Sequence, residues 1–218
     1  MIKGAIFDLD GTILDSMIIW DTIGEDYLRS LGKEPKENLK ETFKTFTLEQ
    51  AAQYYRENYG VTLSVDEIID GINKMVERYY AETVPLKSGV KVFLEQLKAK
   101  GIKMCIATVT DKPLVEAALD RLEARDYFSA IFVCSEVGRS KEEPHIYREA
   151  QKHLETAKSK TVVFEDALHA LKTAKADGFV TVGVFDVHEE NQEELKRIAD
   201  CYIEDYSDFE KFWNSINK

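Results

Sequence analysis

Three things are scarce in this 218-residue chain: cysteine, positive charge and long apolar runs. The three cysteines, Cys105, Cys134 and Cys201, are odd in number and widely spaced. That pattern excludes a disulfide framework and a clustered zinc site, and it reads as reduced, buried thiols in a cytoplasmic protein. Lys and Arg total 29 against 40 Asp and Glu, for a formal net charge of -11. Nucleic acid and anionic membrane want a basic face, so neither is an expected partner. No apolar stretch approaches the roughly 20 residues that cross a bilayer. Met1-Ile2-Lys3 runs straight into an apolar segment, so no signal peptide is expected. Internal repeats and low-complexity segments are absent. What remains is an ordinary globular balance, 44% hydrophobic and 32% charged, in a chain long enough for a core domain plus a smaller one.

The organising stretch is Ala5-Ile6-Phe7-Asp8-Leu9-Asp10-Gly11-Thr12. An apolar run ends in two carboxylates one residue apart, then a turn-former and a hydroxyl. This reads as a buried strand that delivers acids to its carboxyl end, the edge where ligands bind in open α/β sheets. Two buried carboxylates repel each other and lose hydration, so they need a cation or a shared proton. Mg2+ with a phosphorylated substrate meets that need, because Mg2+ prefers one or two carboxylates plus phosphate oxygens.

Residues 15–82 read as all-helical. Ile18, Ile19, Ile23, Tyr27 and Leu31 recur at helical spacing, residues 39–59 suit two short helices, and Ser64-Val65-Asp66-Glu67 is a capping box ahead of a long apolar stripe. The aromatics here, Trp20, Tyr54 and Tyr55 among them, are expected mostly in a core. From Ser88 the pattern alternates. Strands are expected at 103–108, 130–134, 161–164, 180–185 and 201–203, with helices between them and a second capping box, Ser207-Asp208-Phe209-Glu210, before the last helix. The expected fold is α/β, a doubly wound, mostly parallel Rossmann-like sheet core with an inserted all-helical, four-helix domain. The core takes residues 1–14 and 84–218, and the insert takes 15–83.

Strand ends in such a sheet converge on one crevice. Here they carry Asp8 and Asp10, then Thr108, then Glu165 and Asp166, with Lys141 or Arg139 on a loop as the cation. This is a phosphoryl-transfer inventory: carboxylates for one hard cation, a carboxylate nucleophile, and a hydroxyl and an ammonium for phosphoryl oxygens.

At this point the chain resembles the haloacid dehalogenase superfamily, in its β-phosphoglucomutase and phosphoglycolate phosphatase-like branch. Phe7-Asp8-Leu9-Asp10-Gly11-Thr12 matches the first motif of that family and Ile106-Ala107-Thr108 the second. Lys141 with Pro144-His145-Ile146-Tyr147 matches the lysine motif loosely, and Val163-Phe164-Glu165-Asp166-Ala167 matches the fourth. The resemblance implies that Asp8 is the nucleophile and Asp10 the general acid and base. Asp8, the Asp10 backbone carbonyl, Asp166 and Glu165 would hold Mg2+. Thr108 and Lys141 would bind the phosphoryl group, with the backbone N–H groups of Gly11 and Thr12. It also implies that the helical insert is a mobile cap. Ala167 stands where the family often has Ser, a change expected to affect local packing only.

Substrate choice would come from the cap and from the residues after Thr108: Val109, Thr110 and Lys112. Leu48 falls where a β-phosphoglucomutase has a cap Arg, with Lys44 and Lys112 as possible substitutes. A desolvated second phosphate needs paired cations, so the expectation is a phosphatase for a small phosphate monoester, with a sugar phosphomutase as the alternative. The expected partner is a small phosphorylated metabolite, and the expected assembly is a monomer or weak homodimer.

Overall fold

In a computed structural model, which describes residues 1–43 and 46–217, the elements run in chain order. They are β1 (Gly4–Phe7), α1 (Ile18–Ser30), α2 (Leu39–Phe43), α3 (Leu48–Tyr59), α4 (Val65–Glu82), α5 (Val90–Ala99), β2 (Lys103–Thr108), α6 (Lys112–Arg121), β3 (Ile131–Val133), α7 (Cys134–Val137), α8 (His145–Leu154), β4 (Thr161–Glu165), α9 (Leu168–Ala176), β5 (Val180–Val184), α10 (Gln192–Ile198), β6 (Cys201–Ile203) and α11 (Phe209–Ile216). The chain divides into two compact units, Met1–Ser16 with Val84–Lys218, and Met17–Thr83.

The first unit holds a six-stranded sheet in the order β3-β2-β1-β4-β5-β6, parallel in every described pairing. A parallel sheet is covered on both faces, so its strands are continuous apolar runs. Alternate residues serve opposite faces. Ile6, Cys105, Ala107 and Val163 pack with Ile146, Tyr147 and Ala150 of α8 on one side. On the other, Phe7 stacks on Phe164 with ring centroids 4.2 Å apart, and Phe93 of α5 and Phe212 of α11 close over Phe164. The fold is therefore α/β and doubly wound. The strand order reverses direction between β1 and β4, the switch point at which such sheets bind ligands.

The segments that flank the helical unit are tied to each other within the first unit. Leu14 bridges Leu86, Asp15 N–H donates to Pro85 O at 3.0 Å, and Lys87 N–H donates to Ile13 O at 2.8 Å. The second unit contains α1 to α4. Tyr27, Leu28, Leu39, Ala52, Tyr55, Ile68 and Ile72 form its core, and the Tyr55 hydroxyl donates to Gly24 O at 2.6 Å.

Four local expectations need correction. Trp20 is 51% exposed and not part of a core. Cys134 and Cys201 are only half-buried; Cys105 alone of the three is buried, and all three are free thiols. β3 stops at Val133 because Cys134 begins α7. The cap of α11 is Asp208, not Ser207: Asp208 accepts from Lys211 N–H at 3.0 Å, while Ser207 N–H and hydroxyl both turn back to Asp205.

Candidate active site

The register of the sheet brings the acids together. Phe7 pairs with Phe164 across β1 and β4, so the next residues, Asp8 and Glu165, emerge side by side. Asp8 N–H continues the ladder to Phe164 O at 3.0 Å. Thr108 closes β2 on the other flank of β1 and is fully buried.

Asp8, Glu165 and Asp166 are all buried, and each offers an oxygen within 4.8 Å of the others. Lys141, only 5% exposed, is the cation among them: its Nζ donates to Asp8 Oδ1 and, at 2.7 Å, to Glu165 Oε1. Arg139, its rival by sequence, is exposed. Three carboxylates against one ammonium leave an excess of two negative charges out of water.

That excess shows in the titration of each group. Burial pushes the Asp8 carboxyl above the usual range against the pull of Lys141, and the Asp10 charge adds to the rise. Burial likewise pushes Glu165 up to about 7, again with Lys141 opposing. Asp166 rises well above its ordinary value through burial, then through the charges of Asp8 and Glu165. Burial would favour neutral Lys141, but Asp8 and Glu165 outweigh it and hold the ammonium protonated. A hard divalent cation would relieve the three acids together, and an all-oxygen donor set is the one such a cation takes.

Asp10 has other surroundings. It is half-buried, Ser16 Oγ donates to its Oδ1 at 2.6 Å, and Thr110 Oγ1 donates to its Oδ2. Its side chain is not among the three clustered acids. Gly11 has φ 72°, the left-handed region that glycine enters without strain, and its N–H donates to Leu14 O at 3.0 Å. That amide bonds within its own turn. Thr12 is buried, and its hydroxyl donates to Asp166 Oδ1 at 2.8 Å.

The residues after β2 diverge. Thr108 Oγ1 accepts from Thr110 N–H at 3.1 Å, and Val109 is 61% exposed. Lys112 opens α6 and lies 3.8 Å from Glu136. Lys44 falls outside the described residues.

Three contributors have no role in the sequence reading. Tyr147 donates to Glu165 Oε1 at 2.6 Å, Ser16 holds Asp10, and Tyr206 donates to Thr12 O at 2.9 Å. Tyr147 carried one legible signal: it lies on the apolar face of α8 one residue after Ile146, where a phenol needs a partner. Tyr206 carried none, being 194 residues from Thr12.

A family model for haloacid dehalogenase-like hydrolases matches residues 5–184. The chain belongs to that family. It is an enzyme, and named phosphatases are among its relatives. A phosphorylated carbohydrates phosphatase of Thermotoga maritima is 26% identical over 176 residues, 81% of this chain and 82% of that one. Protein CbbY of Cereibacter sphaeroides is 29% identical over 204 residues, 87% and 88% of the two chains. A Thermotoga maritima structure carrying a provisional β-phosphoglucomutase assignment superposes with a TM-score of 0.86 at 23% identity, covering 98% of this chain and 99% of that one. At that identity the hydrolase shares a fold with it. Thr108, Lys141 and the Glu165-Asp166 pair stand at the end of β2, on the loop before α8 and at the end of β4.

Proposed function

We propose that this hydrolase is a Mg2+-dependent phosphatase for a small phosphate monoester, a sugar phosphate or a phosphoglycolate-like acid, and that the phosphoryl group passes through Asp8. The observation that carries the reading is the buried Asp8–Lys141–Glu165–Asp166 cluster at the switch point of the sheet. The phosphorylated-carbohydrate specificity named for the Thermotoga relative supports the substrate class.

Asp8 Oδ attacks phosphorus and the ester oxygen leaves, taking a proton from Asp10. Asp10 then removes a proton from water, which attacks phosphorus again and returns Asp8 with release of inorganic phosphate. Separate surroundings suit separate roles. Asp8 is paired with a fixed ammonium, whereas Asp10 sits among hydroxyls. Lys141 and Thr108 hold phosphoryl oxygens as charge develops. Asp8, Asp166 and Glu165, with the Asp10 backbone carbonyl, would hold Mg2+, whose charge neutralises the phosphoryl oxygens. The helical unit Met17–Thr83 is proposed as the cap that sets substrate choice.

A panel of phosphate monoesters assayed with Mg2+ and with EDTA tests the reading. Inorganic phosphate should appear only with metal. Conversion of glucose 1-phosphate to its isomer in the presence of a bisphosphate primer, without free phosphate, would overturn it in favour of a mutase.

A further inference from the structure

Glu189 has no part in the chemistry above, yet its carboxylate reaches the turn that carries Asp166. The first N–H groups of a helix lack intrahelical partners and usually take a Ser, Thr, Asp or Asn oxygen from the cap position. The cap residue of α9 is Ala167, with extended backbone (φ -85°, ψ 123°) and no side-chain acceptor. Glu189 binds another of those donors: its Oε2 accepts from the Leu168 N–H, the first of the helix, at 2.9 Å. A carboxylate at that end of a helix also meets the positive pole of the helix dipole.

The carboxylate is itself held. Glu189 Oε1 accepts from Asn191 N–H at 2.7 Å and from Asn191 Nδ2 at 3.2 Å. Glu189 N–H donates to Asp186 O at 3.2 Å. Asp186 is buried, with Lys87 Nζ at 2.8 Å and His188 N–H at 3.0 Å. The loop between β5 and α10 is thus a braced arm that ends on Leu168.

The link from β4 to α9 is Asp166 and Ala167 alone. Its strand end is fixed by the sheet and its helix end by Glu189. We propose that Glu189 is a positioning residue for Asp166, tying the start of α9 to a neighbouring loop and so holding this turn in the geometry that receives a divalent cation. The inference rests on the reading of Asp166 as a metal ligand.

Direct titration of the full chain with Mn2+ and no substrate, by calorimetry, tests it alongside thermal melts. Glu189→Ala should weaken Mn2+ binding roughly tenfold, the low end for loss of a group that orients a ligand. Glu189→Gln keeps an oxygen acceptor for the Leu168 N–H and should stay within about threefold of wild type. The proposal is overturned if Glu189→Ala binds Mn2+ within about twofold of wild type, or if Glu189→Gln recovers the wild-type melting temperature without its Mn2+ affinity. Asp166→Asn separates the two levels. If it loses Mn2+ while Glu189→Ala does not, only the role of Glu189 fails. If it binds as tightly as wild type, the metal assignment fails and this proposal with it.

Discussion

Asp8 and Asp10 are two positions apart and differ in every respect that sets reactivity. Asp8 is buried against Lys141, and Asp10 is half-buried between two hydroxyls. Both carboxylates were legible as a site, because adjacent acids at the end of an apolar run demand compensation. The compensating groups were legible unevenly. Lys141 is favoured over Arg139 by its motif, and the folded chain buries Lys141 while leaving Arg139 exposed. Ser16 and Tyr147 are ordinary residues until folding turns each toward a carboxylate. The decisive residue-level test is Asp8→Asn. The amide removes the nucleophile with little change of shape. Phosphate release should fall by about four orders of magnitude or more, while the circular dichroism spectrum stays native. Mg2+-dependent turnover near the wild-type rate in that variant would remove Asp8 from its assigned role.

Elements were read well where pattern and local chemistry agree. Ser64-Val65-Asp66-Glu67 forms a reciprocal capping box at the start of α4, since serine and glutamate at that spacing satisfy each other without help from the rest of the chain. The same letters mislead at Ser207-Asp208-Phe209-Glu210. Asp205 lies two residues earlier and captures the Ser207 hydroxyl and N–H, and the cap passes to Asp208. Two acceptors competing for one turn cannot be ranked from spacing alone. Ala167 is the converse case: it reads from sequence as a packing change only, while the residue that bonds the start of α9, Glu189, sits on another loop. Asp208→Ala should therefore cost about 1 kcal/mol of stability in urea melts, and Ser207→Ala should cost clearly less. Equal losses, or a larger loss at Ser207, would contradict the assignment.

At the scale of the molecule, alternation of apolar runs with helical stripes made the parallel sheet legible, because right-handed crossovers leave few other arrangements. The strand order and the long-range ion pairs were not, since a pair such as Lys87 with Asp186 joins positions 99 apart with no local signature. That pair supports the loop after β5 from the segment where the chain re-enters the sheet unit. Its effect on global stability has a definite sign. Burial alone would raise the Asp186 carboxyl, but Lys87 and the His188 N–H outweigh it and hold the group below the ordinary carboxylate value. A depressed folded value means stability that is present above the unfolded pKa, near 3.9, and is lost as the folded group is forced to take a proton. The unfolding free energy of wild type minus that of Asp186→Asn should then be largest at about pH 5 and shrink by about pH 3, as the folded carboxyl is protonated. Urea melts of both proteins at the two pH values measure it. A difference that is unchanged or larger at the lower pH would show that the Asp186 carboxylate does not bear on stability through its charge.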